Sequence, residues 1–165
     1  MSPDETFRVR QFDENLLRQE VDRVLGLIRK VVPSASVMEV GSTAIEGVVG
    51  KQDLDFVVRV PSNRFDQARR IMDLAFSRNS QQISNGEYQG YVVPSPLDVA
   101  IQLIVEDGQY DTFEKFLLTV SADPALKRAY NDLKVAWDGR PMKEYRVAKR
   151  CFIDSVLSKT TESRQ

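Results

Sequence analysis

Two aspartates separated by one residue, Asp53 and Asp55, stand at the start of the apolar run Phe56-Val57-Val58. If that run is a β-strand, its side chains alternate between two faces, so both carboxylates project from one side of the strand end. Carboxylates that face the same way repel each other unless a cation lies between them. Mg²⁺ suits this position, with Mn²⁺ as the alternative, because Mg²⁺ binds carboxylate oxygens together with substrate phosphates. The pair therefore predicts a divalent-metal site that could also take substrate phosphates.

A glycine and a serine, Gly41 and Ser42, precede this pair and mark a turn after a short apolar run. We predict a short helix over residues 42–49, whose first N–H groups and positive dipole end would suit a phosphate group. Gly41, Ser42 and Thr43 are therefore predicted to hold phosphates. Lys51, just ahead of the aspartates, adds a point charge that can contact the same groups.

Asp98 is the best candidate for a third carboxylate. It lies near the start of a predicted strand over residues 97–105, on the face opposite the apolar side chains of that strand. Three carboxylates from two adjacent strands can bind two Mg²⁺ ions, which would orient a nucleoside triphosphate for in-line displacement at phosphorus. Asp98 is also the candidate general base for the acceptor hydroxyl.

Two lysines in the C-terminal third, Lys134 and Lys149, each follow a tyrosine by four residues, Tyr130 and Tyr145. At that spacing the two side chains of each pair lie on one face of a helix. In the functional interpretation both lysines neutralise a triphosphate. In the alternative, each is a solvated lysine whose aliphatic stem covers the tyrosine ring.

The aspartates also have an interpretation without function. A single D-x-D at a strand border is common turn chemistry, and Asp98 follows Pro94-Ser95-Pro96, where it could be a solvated edge residue. The Gly-Ser pair alone is a weaker signal. The site hypothesis therefore rests on the joint occurrence of the turn, the aspartate pair and the third carboxylate.

The periodicity of apolar residues predicts an α/β (α+β) fold, with a mixed sheet of three to five strands flanked by helices and a C-terminal helical part. We expect one domain over residues 1–165, with its core at about 13–107 and its C-terminal helices at about 111–157. The polar stretch 77–86 is predicted to be a loop or a hairpin turn. The remaining predicted elements are a helix over 13–32, strands over 37–40, 54–60, 88–93 and 97–105, and a helix over 63–76.

Composition excludes several classes of protein. There is no histidine, which removes Ser-His triads, Cys-His dyads and most zinc sites. The 23 basic and 24 acidic residues leave a net charge of −1, so nothing indicates a nucleic-acid or anionic-membrane surface. No apolar run approaches the ~18 residues of a membrane span. The single cysteine, Cys151, predicts a reducing, cytoplasmic compartment, and we expect it in the core of the last helix.

The residues Gly41-Ser42-Thr43-Ala44, Lys51, Asp53 and Asp55 resemble the core motif of the nucleotidyltransferase superfamily. More narrowly, they resemble the GrpB-like (UPF0157) family, whose motif reads approximately GSTAVPGLxxKPxxD. The resemblance covers about residues 7–157, and both tyrosine–lysine pairs match patterns of that family.

The resemblance implies Mg²⁺-dependent transfer of a nucleoside monophosphate from a nucleoside triphosphate to an acceptor that the motif does not define. Two departures favour a second hypothesis, a non-catalytic nucleotide-binding or regulatory module. Phe113-Glu114-Lys115 lacks the arginine of the family pattern, and Ile101-Gln102-Leu103 replaces a strand that carries histidine. A third hypothesis is a role toward a protein partner, such as neutralising a toxin.

Overall fold

The computed structural model describes residues 5–162, and the chain divides into two compact units. The sheet unit comprises Phe12–Gly41 and Asp53–Phe113. The helical unit comprises the segment up to Gln11, Ser42–Gln52 and the chain from Glu114 onward. The predicted core at 13–107 and C-terminal helices at 111–157 correspond broadly to these units, and the expectation of a single domain stays a prediction.

The sheet unit contains a five-stranded mixed sheet in the order β1-β2-β5-β4-β3. The central pair, β2 and β5, is parallel, and all other neighbours are antiparallel. The strands and helices of this unit are β1 (Ser36–Val40), β2 (Leu54–Val60), β3 (Ser77–Arg78), β4 (Tyr88–Val92), β5 (Val99–Val105), α1 (Glu14–Val31) and α2 (Phe65–Ala75).

Both helices of the sheet unit bury their apolar sides in one cluster with one face of the sheet. Alternate residues of the two central strands supply that face, as period-two patterning requires. Helix α1 begins where predicted, since the Asp13 carboxylate accepts a hydrogen bond from Leu16 N at 3.1 Å. The buried residues of the central strands in this cluster are Leu54, Phe56, Val58, Val60, Val99, Ile101, Leu103 and Val105.

The helical unit is built from α3 (Phe113–Ala122, whose first residue belongs to the sheet unit), α4 (Pro124–Trp137) and α5 (Met142–Glu162). Asp123 caps α4 by accepting from Ala125 N at 2.8 Å and Leu126 N at 3.3 Å. The core of this unit is mostly aliphatic, with three aromatic rings in mutual contact. Tyr130 and Phe152 stack at 5.1 Å between centroids, and Phe116 meets both edge-on.

The predicted fold class is confirmed, with three local differences. Within 77–86, predicted as a loop or a hairpin turn, the chain forms the two-residue strand β3, which pairs antiparallel with β4. The predicted helix over 42–49 is only a 3₁₀ turn at Ser42–Ala44, because the chain turns away at Gly47, whose φ is +82°. Cys151 is exposed, so its expected place in the core was wrong. None of the helices in the described residues has the length and apolarity needed to cross a membrane.

Candidate functional site

The aspartate pair lies at the start of β2, in the orientation that the sequence predicted. Asp53 immediately precedes the strand, and Asp55 is its second residue. Leu54 and Phe56, which alternate with the aspartates, are fully buried in the helix-covered core, whereas both aspartates are half-buried. The two carboxylates therefore belong to the opposite face of the sheet, which we call the carboxylate face.

Asp98 is placed beside this pair by the register of the two parallel strands. Leu54 pairs with Val99 and Asp55 with Ala100, and Leu54 N donates a hydrogen bond to Asp98 O at 2.8 Å. Asp98 therefore lies on the carboxylate face at the start of the neighbouring strand, and its side chain is exposed. The predicted face and neighbourhood of this residue agree with the structure.

The segment before Asp98 is held to α1 by a network of side chains. Arg23 donates to both carboxylate oxygens of Glu20, at 2.7–3.2 Å, and also to Pro94 O at 3.0 Å. Ser95 Oγ donates to Glu20 at 2.6 Å and accepts from Leu97 N at 3.1 Å. The hydrogen bonds from Arg23, and to a smaller extent the one from Ser95, hold the pKa of Glu20 below its ordinary value, so the carboxylate stays charged. The network holds the segment that leads into β5, and no pattern in the sequence predicts it.

Gly41 lies directly against the Asp55 carboxylate. Its φ is +79°, a conformation that glycine adopts without steric cost. A Cβ at this position would stand 2.6 Å from Asp55 Oδ2 and 3.3 Å from Asp55 Cβ. The glycine predicted to hold phosphate therefore leaves room for one of the paired carboxylates.

Tyr88 of β4 reports the electrostatics of the carboxylate face. It pairs with Ile104 of β5, and burial raises the pKa of its phenol to about 12, with further contributions from the negative charge of Asp55 and from Tyr110. The field of Asp55 therefore reaches across the face to another strand. Sequence reasoning did not single out Tyr88 for this role.

The aspartates suit Mg²⁺ as a pair of ligands, not as a set of three. Among residues 5–162, no group of three His, Cys, Asp or Glu side chains is arranged to hold a metal ion. The three aspartates therefore do not form a ready-made trio of ligands. Two carboxylates on one strand end do satisfy what Mg²⁺ requires of a protein, because this ion keeps several waters and takes phosphate oxygens for the remainder.

The helical unit brings two of the predicted phosphate ligands together. Lys134 Nζ donates hydrogen bonds to Ser42 Oγ and, at 2.7 Å, to Val49 O. It also stands 4.2 Å from the centroid of the Tyr130 ring, and the residue is 1% exposed. The alternative of a solvated lysine was therefore wrong at this position, although the predicted contact with the tyrosine is present. Lys134 anchors the segment that contains Ser42.

A second residue of α4, Asn131, holds the same segment and was missed by sequence reasoning. Its Oδ1 accepts from Val49 N at 2.9 Å, and its Nδ2 donates to Gly47 O at 2.8 Å. Asn131 lies three residues before Lys134, so both side chains share one face of the helix. The spacing of these two polar residues was the one sign in the sequence that they act together. It does not identify the loop that their side chains bind.

The other predicted phosphate ligands keep their predicted roles as hypotheses. Thr43, Lys51 and Lys149 are each half-buried. The helix-dipole argument for Ser42 was wrong, because a 3₁₀ turn of three residues has no appreciable dipole.

Comparison with known proteins identifies relatives over most of the chain. Residues 8–159 match the family model described as GrpB protein. A UPF0157 protein of Vibrio cholerae serotype O1 is 30% identical over 145 residues, which cover 87% of this chain and 75% of the relative. The crystal structure of conserved protein GrpB from Enterococcus faecalis superposes with a TM-score of 0.68 at 15% identity, covering 94% of this chain and 98% of that one.

The fold is also similar to that of nucleotidyltransferases. Cid1 poly(U) polymerase with bound MgGTP superposes with a TM-score of 0.52 at 14% identity, over 72% of this chain and 41% of Cid1. A second Cid1 structure, described for its RNA terminal uridylyl transferase activity, gives 0.53 at 12% identity, over 76% and 40%. The present chain thus spans about two-fifths of that enzyme, and the likeness concerns the fold.

Proposed function

The chain belongs to the GrpB family, and on that premise we propose that it is a Mg²⁺-dependent nucleotidyltransferase. It would transfer a nucleoside monophosphate from a nucleoside triphosphate to an acceptor hydroxyl or phosphate. One observation carries the proposal. Asp53 and Asp98 precede two adjacent parallel strands, with Asp55 on the same face, in a fold similar to that of nucleotidyltransferases.

In this proposal Asp53 and Asp55 hold the metal ion, with Asp98 at the start of the neighbouring strand as a further carboxylate. Bound Mg²⁺ would neutralise phosphate charge and favour attack at phosphorus. Gly41 leaves the space that the Asp55 carboxylate occupies. The network of Glu20, Arg23 and Ser95 fixes the segment that leads to Asp98.

The proposed reaction is a displacement at the α-phosphorus of the nucleoside triphosphate. The acceptor oxygen forms a bond to phosphorus, the bond between that phosphorus and the bridging oxygen breaks, and pyrophosphate leaves. Asp98, which is exposed at the strand start, would take the proton of an acceptor hydroxyl. A single carboxylate is enough for this proton transfer, so the step does not require three metal ligands.

The phosphate-binding roles of Ser42, Thr43, Lys51, Lys134 and Lys149 belong to the proposal as well. Support differs among them. Lys134 already donates to Ser42 Oγ and Val49 O. Its first role would then be to orient the Ser42 hydroxyl, and removing it should alter phosphate binding through Ser42.

The test is release of pyrophosphate from each of the four nucleoside triphosphates, with Mg²⁺, with Mn²⁺ and with EDTA, against a panel of hydroxyl-bearing and phosphorylated acceptors. The unmodified protein should release pyrophosphate only with a metal ion. Asp53→Asn should lose turnover while it keeps its fold and part of its nucleotide binding. Undiminished transfer by Asp53→Asn would reject the assignment.

A second function, a non-catalytic nucleotide-binding module, is favoured by one observation. The described residues contain no preformed group of three metal-binding side chains. Calorimetric titration with each Mg²⁺–nucleotide complex separates the two proposals. Metal-dependent binding together with pyrophosphate release supports the enzyme. Metal-dependent binding without pyrophosphate release, whichever acceptor is added, supports the binding module.

A further inference from the structure

Gln102, in the middle of β5, carries a buried hydrogen-bond acceptor that the chain does not satisfy. The residue is 5% exposed, and within residues 5–162 its side-chain Oε1 is the buried polar atom that has no hydrogen-bond partner. Such atoms are rare in folded proteins, because an unmade hydrogen bond in the interior costs stability. An unpaired acceptor at this position therefore calls for an explanation.

The strand register places Gln102 on the carboxylate face. Asp55 pairs with Ala100, and two residues farther along the same strands Val57 pairs with Gln102. Paired residues of neighbouring strands point to the same side of a sheet, as do residues two apart. Gln102 is thus one step behind the aspartate pair, on the same surface.

Two of the four neighbours of Gln102 on this face are small, whereas the other two, Val57 and Ile104, are buried aliphatic residues. Ala100 precedes it on the same side of β5, and Gly90 of β4 is its cross-strand partner. The space above Gly90 is occupied by the side chain of Gln82, with which any Cβ at Gly90 would overlap. Gln82 belongs to the connection between β3 and β4, and its Oε1 accepts from Tyr88 OH at 3.2 Å.

We propose that Gln102 is a specificity-determining residue whose Oε1 accepts a hydrogen bond from the ligand held at Asp53 and Asp55. This proposal rests on the function proposed above and adds the chemistry of the ligand. When the ligand binds, the Gln82 side chain moves off Gly90, and a group of the ligand takes its place beside Gln102.

The ligand group that Gln102 recognises must be a neutral hydrogen-bond donor, an O–H or N–H. An amide carbonyl oxygen is an acceptor, so it disfavours a phosphate oxygen and suits a hydroxyl or an amide nitrogen. In a nucleoside triphosphate both kinds of donor exist, on the ribose and on the base. The shared chemistry is donation to Oε1, and the two sources are distinguished by the choice of nucleotide.

A second buried glutamine provides the matched control. Gln89 of β4 is 1% exposed and pairs with Leu103, so it belongs to the other face of the sheet. Both ends of its side chain are satisfied, since Oε1 accepts from Ser84 Oγ at 2.6 Å and Nε2 donates to Gly90 O at 3.0 Å. The two residues have the same type and nearly the same burial, but opposite hydrogen-bonding states.

The experiment compares Gln102→Met and Gln102→Leu with Gln89→Met. Melting temperature and binding are measured for the full chain, with Mg²⁺ and each of the four nucleoside triphosphates, their 2′-deoxy and 3′-deoxy forms, and inorganic tripolyphosphate as a probe without donors. Both Gln102 variants should melt at a higher temperature than the unmodified protein and bind the preferred nucleotide about tenfold more weakly. Their affinity for tripolyphosphate should be unchanged.

Gln89→Met should show the reverse, a lower melting temperature and unchanged affinity. A loss at Gln102 that vanishes with a deoxy form assigns the donor to the ribose, and a loss confined to one base assigns it to the base. Full nucleotide affinity in the Gln102 variants, or a melting temperature that falls as in Gln89→Met, would overturn the proposal. Nucleotide binding that is absent from the unmodified protein, or insensitive to Asp53→Asn, instead refutes the proposed function on which this one rests.

Discussion

The two units of this protein position their candidate functional residues by different means. In the sheet unit, strand register decides where Asp53, Asp55 and Asp98 lie. In the helical unit, long-range hydrogen bonds decide, since Lys134 reaches Ser42 and Val49, which are 92 and 85 residues away in sequence. Alternation along a strand decides from local sequence which face each aspartate occupies, whereas the pairing of β2 with β5 and the side-chain bonds of Lys134 both depend on which elements meet in the folded chain.

The cores of the two units also differ in how much of their packing the local sequence determines. The sheet unit is filled mainly by aliphatic residues in strict alternation along its central strands, so one buried position determines the orientation of its neighbours. The core of the helical unit is also mainly aliphatic, but it contains a group of rings in which Tyr130 contacts Phe116, Phe152 and the Lys134 ammonium at once. A residue with several specific contacts is harder to place by pattern and more costly to change.

The largest expected effect is the loss of the anchor in the helical unit. Lys134→Met removes two hydrogen bonds and a contact with the Tyr130 ring, and it leaves Ser42 Oγ and Val49 O with one donor fewer. We expect the free energy of unfolding in urea to fall by about 3 kcal/mol. Arg128→Met on the exposed side of the same helix is the control and should change it by less than about 0.5 kcal/mol.

Equal stabilities of these two variants would show that Lys134 is solvated, as the alternative from sequence held. The distinction between the units would then be lost, because neither would depend on a buried side-chain anchor.

Two glycines with nearly the same backbone conformation test the sheet unit. Gly41 has φ +79° and lies against Asp55, whereas Gly47, in the helical unit, has φ +82° and no atom within 4 Å of a built Cβ. Alanine at Gly47 should cost about 1 kcal/mol, through backbone strain alone. Alanine at Gly41 should cost about 2 kcal/mol and also displace the Asp55 carboxylate, which weakens Mg²⁺ binding in a calorimetric titration.

If both alanine variants bind Mg²⁺ as the unmodified protein does, the contact between Gly41 and Asp55 has no part in metal binding. If they lose equal stability, the 2.6 Å approach is relieved without cost by movement of the carboxylate.

Local patterns predicted most of the sheet unit and only part of the helical one. Alternation predicted β2 and the shared face of its aspartates, and Asp13 and Asp123 marked two helix starts. Strand β3 was missed because two residues carry no periodic signal.

The roles of Glu20, Asn131 and Gln102 were missed for a different reason. Each depends on a partner, or on the lack of one, that only the folded chain defines. Glutamine in an apolar strand looks the same in sequence whether its amide is satisfied, as at Gln89, or not.

The smallest expected effect is a shift in one pKa. Burial, the charge of Asp55 and Tyr110 raise the pKa of Tyr88 to about 12. The stability that its neutral phenol contributes is present below the unfolded value of about 10 and is lost as the pH rises toward 12. Asp55→Asn should lower the Tyr88 pKa, and burial should still hold it above about 10.

Alkaline titration of ¹³C-labelled tyrosine by NMR measures this shift, with Tyr88→Phe to assign the resonance. Asp22→Asn, at an exposed position on α1, should leave the Tyr88 pKa unchanged. An unaltered pKa in Asp55→Asn would mean that the field of this carboxylate does not extend to β4.

The central claim, that the two aspartates at the start of β2 bind a divalent cation, has a direct test. Crystals grown with Mn²⁺ and a non-hydrolysable nucleoside triphosphate should show an anomalous peak within about 2.5 Å of carboxylate oxygens from both Asp53 and Asp55. The peak should disappear in Asp53→Asn. A peak elsewhere in the molecule, or one that survives this substitution, would contradict the account.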